Sequence, residues 1–234
     1  MGKDTKKLPL SGDEPTCTKA PFSLQATVPR NNCYAYAIQH LVREGNPYKL
    51  QPGNLSGKQG INFNLSTCTP TFQRVLEDLT ATNSGYKEDI CKPCKAGYGK
   101  IALVLSNGND FHFLRQNGDI IYPLESGETV ETVAKKFKVP LKDVVKLTSK
   151  KVRVLGAGVW SHKRGTAFAP TLYDAKGQVI FDPRKADLNY GMLNYSKFCS
   201  TFCVKQKPCT RNNAAKKSTS KKKNLSTARP KKNV

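Results

Sequence analysis

"KIALVLSNGNDFHFLRQNG", residues 100–118, decides how the rest of the chain is read. An apolar run from Ile101 to Leu105 meets a tight Asn107-Gly108 turn, and beyond it Phe111 and Phe113 alternate with His112. An Asn-Gly pair between two such runs signals a β-hairpin. The period of two sends the phenylalanine rings to one face and the imidazole to the other. Further strands are expected in "VWSHKRGTAFAPTLYDAKGQVIFDP", residues 159–183, turned at Ala175-Lys176-Gly177.

Upstream the spacing changes to that of helices. In "RNNCYAYAIQHLVREG", residues 30–45, Tyr34, Ala37, Ile38 and Leu41 share one stripe; Asn31 or Asn32 is placed to cap the start and Gly45 to end it. Residues 46–70, rich in Gly, Pro and Asn, read as a loop. "TFQRVLEDLTAT" returns to helical spacing through Phe72, Val75, Leu76 and Leu79. A helix followed by a small antiparallel sheet is an α+β pattern.

The expected division is a disordered arm over 1–25, an α+β domain built from 26–119 plus 159–204, an insertion over 120–158, and a disordered basic tail over 205–234. The insertion reads as βααβ. Strands "DIIYPLE" and "KKVRVLG" bracket one helix carrying Val130, Val133, Ala134 and Phe137, and a second opened by Pro140 and carrying Leu141, Val144 and Val145.

Charge is concentrated at one end. The chain has a net charge of +22, and residues 205–234 hold eleven Lys or Arg and no acid. Lys216, Lys217, Lys221, Lys222, Lys223, Arg229, Lys231 and Lys232 form a run with neither aromatic residue nor apolar period, suited to sequence-independent polyanion binding, nucleic acid first. No apolar run approaches the 18 residues of a membrane span, and no secretion signal is visible near Met1. With the viral family resemblance given below, those features imply a virion, or host cytoplasm or nucleus.

The chemistry-bearing residues are few. Cys33 opens a helix, where the dipole favours a thiolate, and a cysteine nucleophile needs an imidazole. His40, seven residues on, lies about 10 Å along the axis and is out of reach. His112 meets Cys33 if the Cys33 helix lies across the imidazole face of the hairpin, and His162 in "WSHK" is the other candidate. The bland reading makes Cys33 and His112 core residues. The eight cysteines are open to three states: free thiols, disulfides or metal ligands. Cys91, Cys94, Cys199 and Cys203 together would complete a four-sulfur zinc site. No other cofactor is expected.

Three resemblances follow. "SGETVETVAKKFKVPLKDVVKL" resembles a LysM module, which implies a glycan partner. The order of a helix-opening Cys, a strand His and a later polar residue resembles the papain-like hydrolases of the CHAP and NlpC type. That implies amide or peptide hydrolysis with Cys33 as nucleophile, His112 as base, and His162 or Asp174 orienting the ring. "NCYAYAI", "DFHFLR", "WSHKRG" and "DAKGQVIFDPRKADLNYGMLNYSKFCSTFCV" together resemble an uncharacterised family of large DNA viruses and some bacteria, which carries no settled activity. Within it the competing reading is a non-enzymatic virion protein that binds DNA or capsid partners.

Overall fold

The computed structural model describes residues 7–17, 21–42, 49–58 and 65–206. The hairpin forms as the sequence implies. Strands β2 (Tyr98–Ser106) and β3 (Asp110–Asn117) pair antiparallel from Ile101↔Arg115 to Ser106↔Asp110. Gly108 takes the left-handed φ of 76° that the turn requires. With β1 (Gly85–Lys87), β7 (Val159–His162) and β8 (Lys197–Lys205) they make an antiparallel sheet of order β1-β8-β2-β3-β7.

β2 is central and apolar on both faces, so both faces must be covered. Ile101, Leu103 and Leu105 join Phe111, Phe113 and Phe202 under two helices, α1 (Cys33–Ala37) and α2 (Thr69–Ala81). On the opposite face Ala102, Val104 and Leu114 pack against Trp160, Ile180, Leu188 and Tyr195, which come from β7 and the irregular chain that follows it. The architecture is α+β, with helices on one side of the sheet only.

α1 starts where Asn32 accepts a hydrogen bond from the Ala35 amide (3.0 Å). It ends after five residues, not near Gly45, because buried Asn31 binds the backbone of Val42 through both amide atoms (2.8 and 3.1 Å). That clasp reverses the chain within eleven residues, and Gln39 adopts a φ of 55° in the bend. α2 carries the expected stripe, and Val75 and Leu79 are buried. Between them Asp78 is fully buried and accepts from Tyr34 Oη (2.9 Å), the Gly53 amide (2.8 Å) and the Ser56 amide (2.8 Å).

Residues 120–154 form a second antiparallel sheet, β4 (Ile120–Pro123), β6 (Lys151–Val154) and β5 (Val144–Thr148), in the order β4-β6-β5. Helix α3 (Val130–Phe137) covers it with Val133, Ala134 and Phe137. The second helix expected here is absent. After one 3-10 turn at Leu141–Asp143 the chain becomes β5, because Val144 and Val145 pair with Val154 and Arg153. β-branched residues suit that ladder better than a helix.

Three other expectations are corrected. In place of a disordered arm over 1–25, the described part is anchored: Leu8 is buried, Phe22 packs edge-on against Tyr36, and Cys17 bridges to Ile120. The tail does not begin at 205, since Lys205 still pairs with Tyr98 in β8; residues 207–234, with all the basic residues named for polyanion binding, lie outside the described residues. The four-sulfur zinc set is overturned. Cys94 is bonded to Cys203 and Cys199 to Cys68, which removes three of its four thiolates. Cys91 remains exposed as a thiol. Among the described residues no helix is long and apolar enough to cross a membrane.

Replacing Asp78 with Ala strands a buried phenol, the buried amide of Gly53 and the half-buried amide of Ser56. Urea denaturation is expected to show a loss of about 3–5 kcal/mol. An unchanged midpoint would mean that Asp78 does not hold α1, α2 and the 53–56 turn together.

Candidate active site

Cys33 is the first residue of α1 and is 5% exposed, packed among the residues of the helix-side core. Its Sγ lies 4.0 Å from the Phe111 carbonyl oxygen. That contact falls at an open edge. β7 pairs with β3 only from Leu114 to Asn117, and the amide and carbonyl of His162, the last paired residue, both turn away to Thr171. In an antiparallel ladder this makes Leu114↔His162 the non-hydrogen-bonded pair, so the backbone groups of Phe111 and Phe113 point to the side that β7 has left. The thiol sits in that gap, on the helix side of the strand.

The sequence implied that a thiol at a helix start is acidified. Burial reverses this and pushes the Cys33 thiol up to about 12. A five-residue helix has too few aligned peptides to offset the loss of water.

His112 is buried and points to the other face of β3. The expectation that the Cys33 helix covers the imidazole face is therefore wrong. α1 covers the phenylalanine face, where Tyr34 meets Phe113 with ring centroids 4.9 Å apart. The His112 ring lies 4.9 Å from that of Tyr195, whose hydroxyl donates to Asp110 (2.7 Å). Thiol and imidazole thus belong to opposite faces of β3.

His112 Nε2 is 2.8 Å from His162 Nδ1, and His162 Nε2 is 2.9 Å from the Tyr173 carbonyl oxygen. This chain fixes both tautomers. A carbonyl only accepts, so His162 carries its proton on Nε2. Its bare Nδ1 then accepts from His112 Nε2–H, which leaves the lone pair of His112 on Nδ1. Burial is the main cause that holds both rings neutral: it lowers His112 well below 6.5, with His162 adding to the effect, and brings His162 to about 4.

Asp174, the alternative orienting residue, is committed elsewhere. Its carboxylate accepts from the amides of Lys176 and Gln178 (2.9 Å each) and of Asp187 (3.2 Å), closing a turn. His40 lines a separate cavity of about 310 Å³ with Ile38, Leu55 and Gln206. Two cations that nothing in the sequence singles out are buried near α1. Lys163 is fully buried and donates to the carbonyls of Val28 (2.9 Å) and Gly165 (2.8 Å), and burial lowers it to about 8. Arg115 lies 4.2 Å from the Tyr36 ring and donates to its hydroxyl (3.0 Å), fastening α1 to the sheet. In sequence both look like ordinary surface charges; only their place between apolar neighbours hints otherwise.

No family model, curated protein or solved structure matches the chain.

The buried imidazoles make stability depend on pH. Between pH 6.5 and 4 the unfolded chain takes up protons that folded His162 refuses. Stability therefore falls as pH falls through that window. A drop from 6.5 to about 4 corresponds to about 3 kcal/mol. Urea titrations at both ends of the window should show this loss, and His162→Gln should reduce it; an identical loss in the variant would refute the assignment.

Proposed function

We propose that the protein is a papain-like cysteine hydrolase that cleaves an amide or peptide bond. The observation that carries this reading is the His112–His162–Tyr173 chain. It holds one neutral imidazole in a single tautomer, with its lone pair on Nδ1, across β3 from the helix that carries Cys33. A ring held in one tautomer by a second polar group is what a general base needs.

In this mechanism the thiol rests protonated, and its proton passes to His112 Nδ1 as Sγ attacks the substrate carbonyl. His162 accepts the Nε2–H hydrogen bond throughout and steadies the imidazolium that forms. That imidazolium protonates the leaving amine, giving a thioester on Cys33. Water, deprotonated by His112, then hydrolyses the thioester and restores the thiol. Because Cys33 is 5% exposed and stands on the other face of β3 from the His112 ring, a productive complex requires the side chains above it to shift and the thiol to swing round the strand edge to Nδ1. With a strand where a LysM module has its second helix, the insertion adds no glycan argument to this reading.

Incubating the full chain with a mixed peptide library, and reading new termini by mass spectrometry, tests the proposal. Cys33→Ala and His112→Ala are expected to lower cleavage by about a thousandfold or more, and His162→Ala by about ten- to a hundredfold. Cleavage by Cys33→Ala at the parental rate would end the hydrolase reading.

A second reading, compatible with the first, rests on charge. We propose that residues 207–234, with ten Lys or Arg (the eleven counted from 205 less Lys205) and no acid, bind a polyanion such as nucleic acid. Affinity for duplex DNA should fall steeply with salt, and removing residues 207–234 should flatten that dependence by several units in the log–log slope. An unchanged slope removes the role.

A further inference from the structure

A cavity of about 420 Å³ adjoins the histidine pair and plays no part in the chemistry above. Its walls include Arg164, Phe168, Thr171, Tyr173, Asp174 and Tyr190. Two of these hold His162 directly: Tyr173 accepts from its Nε2, and Thr171 exchanges both backbone hydrogen bonds with it. Whatever fills this space therefore lies one residue from the proposed catalytic rings.

Arg164 gives the cavity its sign. Its guanidinium is set between two rings, 4.3 Å from the Phe168 centroid and 4.9 Å from that of Tyr190. Among the described residues no acid pairs with it. Ring faces orient a guanidinium but do not satisfy its donors, so its fork stays available to an anion. The Tyr190 hydroxyl is covered and has no hydrogen-bond partner among the described residues. The one carboxylate in the wall, Asp174, is already occupied by three backbone amides.

The turn at 173–177 separates this cavity from a second, of about 410 Å³, that shares Tyr173, Asp174 and Gly177 with it. Lys136, Lys138 and Lys185 line the second cavity. Of its two acids, Asp174 is the one held by backbone amides and Asp182 is paired with Arg184 at 2.6 Å, and Lys136 is shared with Glu128 at 3.0 Å. A path running over this turn therefore passes one unpaired guanidinium and then a cluster of ammonium groups.

We infer that the two cavities form a substrate groove for an acidic peptide segment, with one carboxylate gripped by Arg164 beside the histidine pair. The inference rests on the hydrolase reading for its substrate class. A carboxylate suits a single fork with an aspartate nearby better than a doubly charged phosphate does. A nucleic acid strand is disfavoured because one face of Phe168, the ring on which a base would stack, is already taken by Arg164.

The test uses the full chain carrying Cys33→Ser, with and without Arg164→Gln, so that the basic tail contributes equally to both. Fluorescence anisotropy at about 0.15 M salt reads binding of a glutamate-rich octapeptide, its glutamine counterpart and a single-stranded oligonucleotide. Arg164→Gln is expected to weaken the glutamate peptide about tenfold or more and to leave the other two probes unchanged. Arg164→Lys, which keeps the charge but not the fork, should fall between, and it serves if the glutamine variant melts early. Equal affinity of both chains for the glutamate peptide overturns the inference, as does an equal loss for the oligonucleotide or displacement of the peptide by inorganic phosphate. Selective binding of the glutamate peptide without its cleavage by the parent chain would keep the groove and remove the hydrolase. Cleavage with no preference for acidic peptides would do the reverse.

Discussion

A strand that is apolar at every position from Ile101 to Leu105 cannot leave either face in water, and β2 is such a strand. Each uncovered aliphatic side chain costs about 1.5–3 kcal/mol. Sealing both sides dictates where the remaining chain goes. α1 and α2 close the side of Leu103 and Phe113, and the chain beyond β7 closes the side of Val104 and Leu114. The long irregular stretch from Lys163 to Ser196 is thus structural cover. Its backbone needs are met locally, by carboxylates such as Asp174 and Asp182 that cap their own turns.

The same double cover decides the site. Cys33 arrives with the helix layer, and the His112 ring faces the opposite layer at Tyr195, with β3 between them. Several cations are enclosed nearby without a carboxylate: Lys163 and Arg115 near α1, and Lys100 farther along β2. Backbone carbonyls and, for Arg115, a tyrosine serve them instead. Carbonyl dipoles solvate a cation without adding a second buried charge, which limits the desolvation penalty.

The elements legible in the sequence were those with a local period. The β2–β3 hairpin, α2 and the start of α1 follow from spacing and caps alone. The end of α1 was not legible, because a clasp between Asn31 and Val42, eleven residues apart, cuts it short. Nor was β5, since Leu141, Val144 and Val145 fit one helical stripe and become a strand only through pairing with β6. Cysteine partners 131 and 109 residues apart leave no local trace. At the site, Cys33, His112 and His162 stood out by residue type. Arg164 did not, because in "HKRG" it reads as one more solvated charge, and the rings that flank it are assembled only by the fold.

The last described strand has a mechanical consequence. β8 leads directly into the basic tail, lies between β1 and β2, and is cross-linked at Cys199 to the residue before α2 and at Cys203 to the loop before β2. A pull on the tail, as when it is moored to a large immobile partner, reaches two covalent rivets before it can peel β8 from its neighbours. The body can hang from its own terminus under load and keep its sheet intact.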